Sequence, residues 1–167
     1  MADPVYPLKQ VLEIKERRVE DAERVVREKR AALEKEQQIL AQKEAERDKV
    51  KKHYDDKLAQ LRQELDQSST SSPKIQQMKA YLKIAKERVA VEEKKVKEQK
   101  NQVEIAEKNL EIAKNDLKLK RQEVDKLVFH RATWTREMRK EQEIIEGREQ
   151  DELGSIIFTT HHHHQKK

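Results

Sequence analysis

A seven-residue repeat of apolar residues runs through the second half of the chain. Every seventh residue from Ile75 to Ile145 is apolar, with Arg131 as the exception. A companion row three residues further on runs from Met78 to Glu141; it is rich in alanine and partly polar. A strict spacing of this kind keeps one helix face against a partner and is typical of a left-handed coiled coil. The sequence therefore predicts one long helix with a narrow apolar seam.

The first half of the chain carries a similar but weaker repeat. Its main row begins at Leu12 and ends at Leu61. Between the two repeats lie residues 67–73, where serines compete for backbone hydrogen bonds and Pro73 cannot continue the first helix. A short polar break between two heptad helices favours an antiparallel hairpin. Two helices in line, or a parallel dimer with a bulge, are the alternatives.

We therefore predict an all-α fold, a long two-helix antiparallel coiled-coil hairpin with an overhanging second helix. The numbers of facing residues should add to about 140, which leaves residues from about 133 beyond the end of the first helix. Gly154 is expected to end the second helix. The predicted boundaries are a single domain over 1–167, helix one at 8–66, the loop at 67–73, helix two at 74–153 and a mobile tail at 154–167.

The middle of the predicted seam is polar. In the antiparallel register, Glu36, Lys43 and Arg47 come to face roughly Glu92 and Gln99. Polar residues in a coiled-coil seam commonly fix its register at some loss of stability. We expect this layer to define how the two helices align.

Composition and motifs argue against an enzyme. Of all residues, 43% are charged and 4% aromatic, and there is no cysteine, so a globular core, a disulfide framework and a thiolate metal site are not expected. The chain lacks a phosphate-binding glycine loop, a zinc-protease helix motif and a nucleophile elbow. We predict no catalytic residue, no metal and no cofactor, and interpret His161 to His164 as tag-like or incidental.

Charge and hydropathy bear on partners and location. Residues 73–140 carry 19 basic and 11 acidic side chains, whereas residues 141–154 carry one basic and six acidic. A basic helix suits nucleic acid, but the acidic residues are interspersed and no nucleic-acid-reading motif is present, so we predict no nucleic-acid partner. The apolar runs are too short to span a membrane and the first residues lack a signal pattern. These features predict a cytoplasmic protein.

Several apolar residues fall off the seam and are candidates for docking a partner. A stripe two residues past the main row is rotated by about 200° and so faces away from the seam. Trp134 lies on the companion row, where seam filling and partner contact are both open, and Phe129 lies off both rows as a candidate anchor. The docking candidates are Ile84, Val91, Ile105, Ile112, Leu119, Phe129 and Trp134.

A series of short motifs lies in order along nearly the whole chain. The motifs are Tyr6-Pro-Leu8, Val11-Leu-Glu-Ile-Lys15, Arg18-Val19, Ala22-Glu23, Glu28-Lys29, Glu46-Arg-Asp-Lys-Val-Lys51, His53-Tyr54, Met78-Lys-Ala-Tyr-Leu-Lys83, Asp151-Glu-Leu-Gly154 and Phe158. In order and spacing they resemble the YscO-type proteins of type III secretion, especially the chlamydial member. The terminal histidine run departs from that pattern.

The resemblance implies a function as well as a fold. Proteins of this family, which includes the flagellar relative FliJ, form a two-helix hairpin similar to the central stalk of a rotary ATPase. The resemblance implies a non-enzymatic stalk that binds the secretion ATPase hexamer, contacts the export gate and handles export chaperones. It also implies a cytoplasmic location, peripheral to the secretion apparatus at the inner membrane.

The family also implies that the open end of the hairpin enters the ATPase ring. Arginine and lysine there would suit acidic loops of the ring. The ATPase-binding candidates are Arg17, Arg18, Arg24, Arg27, Lys120, Arg121, Lys126 and Arg131. A generic coiled-coil scaffold and a helical-arm chaperone that clamps unfolded clients are the alternative functions.

Overall fold

The described chain consists of two α-helices packed against each other. The structure, a computed structural model, describes residues 4–67 and 71–165. Helix α1 spans Lys9–Asp66 and helix α2 spans Ser72–His164, and no strand occurs in the described ranges. The all-α helical hairpin predicted from the repeats is therefore confirmed.

The polar break between the repeats separates the helices as predicted. Gln67 and Ser71 are not helical, and α2 begins at Ser72, two residues before the predicted start. Proline is tolerated in a first helical turn because its missing N–H has no partner there, so Pro73 does not delay the start. The remaining part of the predicted loop, residues 68–70, lies outside the described residues.

The sequence predicts that the second helix ends at Gly154. In the structure α2 instead continues to His164. A glycine costs a helix only about 1 kcal/mol relative to alanine, and Gly154 does not adopt the left-handed conformation that ends helices. The hydroxyls of Thr159 and Thr160 donate to the carbonyl groups of Ser155 and Ile156, one turn back, at 2.6 and 2.7 Å. The described part of the predicted 154–167 tail is thus helical.

By its contacts the chain divides into two compact units. The first, which we call the terminal unit, consists of Met1–Ala22 and Leu117–Lys167. The second, which we call the central unit, is Glu23–Asp116. Each unit takes one segment from α1 and one from α2. The predicted single domain over the whole chain stays a prediction.

Cross-helix pairs in each unit show the antiparallel register. In the terminal unit the Nζ of Lys15 lies 2.9 Å from a carboxylate oxygen of Glu123. In the central unit the Nζ of Lys74 lies 3.5 Å from a carboxylate oxygen of Glu64. Both pairs agree with residue numbers that add to about 140, the value expected for an antiparallel hairpin.

Apart from Tyr6, the buried apolar side chains lie on the predicted seam rows. In the described residues none is less than 2% exposed, because a seam between two helices is open to water on both sides. The buried apolar residues of the terminal unit are Tyr6, Leu12, Ala22 and Leu117. Those of the central unit are Val26, Leu61, Leu82, Ala85, Val96, Val103, Ala106, Leu110 and Ala113.

A buried polar layer crosses the seam of the central unit at Gln99, which is only 4% exposed to solvent. The Gln99 amide nitrogen donates to the backbone carbonyl of Glu36 at 3.0 Å and to the Glu36 carboxylate. The Gln99 amide oxygen accepts from the Nζ of Lys43 at 3.4 Å. The predicted facing of these three residues is confirmed, whereas Arg47 and Glu92 pair within their own helices instead.

This layer links α1 to α2 at one level only. A shift of either helix by one turn would place Gln99 against apolar side chains and leave its amide without partners. An unsatisfied buried amide costs roughly 1–3 kcal/mol. The layer therefore selects one register among those that an alanine-rich seam would accept.

Replacing Gln99 with alanine should lower the free energy of unfolding by about 1–3 kcal/mol, because the Glu36 carboxylate loses its donor inside the seam. Chemical denaturation measures the change. The matched control is Gln102→Ala, since Gln102 is exposed on the same helix. Equal effects of the two substitutions would show that the Gln99 layer does not stabilise the register.

Candidate functional site

The extended segment before α1 closes over α2 in the terminal unit. Tyr6 is 6% exposed, and its ring meets the Trp134 ring edge-on with centroids 5.5 Å apart. Its hydroxyl group is hydrogen-bonded to Nδ1 of His130. Aromatic pairs in this geometry add roughly 0.5–1.5 kcal/mol beyond their buried area. Tyr6 therefore holds the start of the chain against α2.

The local sequence explains how Tyr6 is placed. Pro4 and Pro7 flank it and favour extended backbone before each proline. The Lys9 amide then donates to the Tyr6 carbonyl at 3.2 Å, which starts the first turn of α1. The tyrosine side chain consequently points back along α2 at the level of Trp134.

A charged cluster lies on the same unit, about two helix turns into α1. Lys15 bridges to Glu123, and this contact lowers the pKa of Glu123 below its ordinary value of 4.5. The hydrogen bond from Lys15 is the largest cause and the charge of Lys15 the next; Arg18 and Lys126 act more weakly in the same direction. The cluster thus gathers three cations around one carboxylate, which leaves a surplus of positive charge.

The structure places the predicted ATPase-binding residues in both units. Arg17, Arg18, Lys126 and Arg131 are exposed in the terminal unit. Lys120 and Arg121, in the same unit, make further interactions within the chain. Arg24 and Arg27 are exposed but belong to the central unit.

Two shallow grooves of the terminal unit extend the positive surface. The first lies beside Tyr6 and Trp134 and is lined by Lys9, Arg131 and Arg139. The second runs along α2 from Val128 to Glu143 and includes Arg136 and Lys140. Of these cations, only Arg131 was predicted from the sequence to bind a partner.

The docking candidates differ in what covers them. Trp134 is half-buried against Tyr6, so it fills the seam within the chain, whereas Phe129 is 76% exposed. The five stripe residues of α2 are all about half exposed or more. Ile84, Val91, Ile105 and Ile112 lie in the central unit and Leu119 in the terminal unit.

The described residues offer few other features that could form a functional site. No group of three or more histidine, aspartate or glutamate side chains in residues 4–67 and 71–165 is arranged to hold a metal ion. His162 stacks on Phe158 with ring centroids 5.7 Å apart. Neither described helix contains a stretch apolar enough to cross a bilayer.

Comparison with known proteins decides the family. The family model described as YscO-like protein matches residues 3–166. The chain belongs to the YscO-like family. The solved structure of CT670, a YscO homologue from Chlamydia trachomatis, superposes with a TM-score of 0.90 at 46% identity, covering 95% of this chain and 97% of that one. The comparison with curated proteins gives no match.

Membership in the YscO-like family makes this a type III secretion-associated protein of a family of secretion stalk proteins. The resemblance predicted from short motifs is confirmed. In this YscO-like protein, the exposed positive charge that a partner could contact lies on the terminal unit, around Glu123 and along the two grooves.

The Lys15–Glu123 contact gives a pH-dependent prediction. The folded-state pKa of Glu123 is depressed, so the bridge stabilises the YscO-like protein above the unfolded value near 4.5 and is lost as pH falls through the folded value. Lys15→Met should raise the Glu123 pKa towards 4.5 in a side-chain NMR titration. The matched control is Lys118→Met, which should leave the pKa in place; an unchanged Glu123 pKa in Lys15→Met would contradict the assignment.

Tyr6 yields a second prediction with a built-in reporter, since Trp134 is the one tryptophan of the sequence. Tyr6→Ala should uncover the indole, move its emission to longer wavelength and destabilise the terminal unit by about 2 kcal/mol. Tyr6→Phe keeps the ring and should lose only about 1 kcal/mol, from the bond to His130. Identical emission from wild type and Tyr6→Ala would show that Tyr6 does not cover Trp134.

Proposed function

We propose that this YscO-like protein is a non-enzymatic stalk that couples a secretion ATPase ring to the export machinery. Its terminal unit binds the ring, and other surfaces contact the export gate and export chaperones. The observation that carries the proposal is the surplus of exposed positive charge around Glu123, next to the end of a two-helix seam.

The charge cluster suits an acidic partner. Lys15 is engaged with Glu123, which fixes the two helices to each other at this level. Arg18 and Lys126 are exposed and close enough to act on Glu123, and Arg17 is exposed elsewhere on the same unit. Arginine makes bidentate contacts with carboxylates, so acidic loops of a ring would find donors on both helices at once.

A charged contact also suits a stalk that turns inside a ring. Exposed ion pairs are worth about 0–1 kcal/mol each, so they can break and re-form with little resistance. A tightly packed apolar interface would have to expose its whole area at each step. The exposed cations of the terminal unit therefore favour a contact that stays mobile.

The outer stripe of α2 supports the second part of the proposal. Its half-exposed isoleucine and valine residues repeat every seven positions, with Glu98 as the one polar interruption, as the apolar anchors of a helix-in-groove contact do. We assign the stripe of the central unit to export chaperones or the gate. A generic coiled-coil scaffold would bind its partners through the same stripe. The identity of the bound partner therefore distinguishes a scaffold from a secretion stalk.

The proposed location follows from the proposed partners. A stalk of the ATPase ring lies in the cytoplasm, peripheral to the secretion apparatus at the inner membrane. The proposal includes no cofactor and no nucleic acid.

Reversing Arg17, Arg18 and Lys126 to glutamate should lower stimulation of the cognate ATPase by at least about fivefold, because like charges would then face the acidic loops of the ring. Helicity should be retained, since all three side chains are exposed. Steady-state ATP hydrolysis at several protein concentrations measures the effect. Stimulation by the wild type should also weaken as salt rises.

The matched control reverses Lys51, Lys52 and Lys86, which are exposed in the central unit and change the net charge equally. This control should stimulate the ATPase as the wild type does. Equal stimulation by both triple variants at every salt concentration would remove the terminal unit from the contact. Partner binding would then have to use another surface, such as the outer stripe.

A further inference from the structure

One face of α2 in the terminal unit carries positive charge at one end and negative charge at the other. Three arginines come first, and all three line the groove that runs from Val128 to Glu143. Three glutamates follow within about the next three turns. The six residues are Arg131, Arg136, Arg139, Glu143, Glu146 and Glu149.

Helical periodicity puts the two charge groups on the same side of α2. Spacings of seven and eighteen residues correspond to about two and five turns of an α-helix, so the later residue returns to the same face. Glu143 follows Arg136, and Glu146 follows Arg139, at the shorter spacing. Glu149 follows Arg131 at the longer one.

None of the six charged groups is engaged within the described chain. All six residues are exposed, and no ion pair or hydrogen bond links their charged groups to another residue in 4–67 or 71–165. Opposite charges lie on neighbouring turns of the face, yet they do not pair with one another. The surface is thus available to a partner of matching charge order.

A second copy of the same helix has that order when it runs antiparallel. With a two-fold axis at the level of Glu141, Arg139 of one copy lies opposite Glu143 of the other, and Arg136 lies opposite Glu146. Arg131 comes within a turn of Glu149. The two-fold axis repeats each of these contacts with the two copies exchanged. The charged face of α2 is therefore complementary to the same face of a second copy along its whole length.

Apolar residues close both ends of this arrangement. Val128 is 48% exposed and Leu153 is 58% exposed, and both lie on the charged face. In the antiparallel register, Val128 of one copy falls within a residue of the level of Leu153 of the other. These contacts would bury apolar surface that each copy leaves in water alone.

We infer that α2 of the terminal unit is a self-association surface whose occupant is a second copy of this chain. An acidic partner of another kind would match only the arginine half and would leave the three glutamates unpaired. A second copy satisfies both halves at once. This inference goes beyond the proposed function and does not rest on it, because its test uses the chain alone.

The interface defines the kind of dimer. Its contacts are mainly exposed charges, which are screened beyond about 8–10 Å at physiological ionic strength. The dimer should therefore be concentration-dependent and should dissociate as salt rises. An isologous contact of this kind closes on itself, so association stops at two copies.

Sedimentation velocity of the full chain at several concentrations, in low and high salt, tests the inference. The wild type should dimerise in low salt and become monomeric in high salt. This arm needs no substitution, so it does not depend on whether a variant folds. A wild type that stays monomeric at all concentrations in low salt, or a dimer that salt does not weaken, would overturn the inference.

Charge reversal then identifies the surface. The acidic variant carries Arg131→Glu, Arg136→Glu and Arg139→Glu, and the basic variant carries Glu143→Lys, Glu146→Lys and Glu149→Lys. Each alone should raise the dimer dissociation constant by at least about tenfold, because its face has become uniform in sign. An equimolar mixture of the two should restore a dimer, since the two faces are then opposite in charge.

The matched control reverses three exposed acidic residues that lie off the charged face, Glu137, Asp151 and Glu152. It changes the net charge as the basic variant does and should dimerise as the wild type does. Dimers that persist in both charge-reversed variants, or a mixture that stays monomeric, would overturn the assignment of this face. A persistent dimer would place self-association on another surface, such as the outer stripe of α2.

Discussion

The buried amide of Gln99 is the interaction on which the alignment of the two helices depends. The seam around it is one layer deep and rich in alanine, so apolar packing alone would tolerate neighbouring registers almost equally. Gln99 takes two partners from Glu36 and one from Lys43, all on α1. This buried layer of satisfied polar groups thus selects the pairing that the apolar rows merely permit.

The chemistry of the surface follows from this thin seam. Two helices have no interior beyond their contact, so nearly every charged side chain stays in water. Two of the proposed contacts use that charged surface in the terminal unit. Around Glu123 the cations outnumber the carboxylate, which suits an acidic ring. On the far part of α2, arginines precede glutamates, which suits a second copy.

Much of this could be predicted from the sequence, because heptad spacing reports a seam directly. Leu82, Val96 and Gln99 fell on predicted seam rows and are buried. The Tyr6–His130 bond could not be predicted, since it joins residues 124 apart in sequence outside both rows. The continuation past Gly154 was missed because an exposed glycine weakens a helix without ending it. Exposed candidates such as Arg17 carry no signal in spacing that distinguishes a binding residue from a solvated one.

A site-specific photocrosslinking experiment in secreting cells tests whether the terminal unit contacts the ATPase ring. A crosslinking amino acid would replace Arg17 or Gln122, both exposed in the terminal unit, and Lys86 in the central unit would serve for comparison. We expect crosslinks to the secretion ATPase from the two terminal-unit positions and none from Lys86. ATPase crosslinks from Lys86 alone would contradict the claim that the terminal unit contacts the ring.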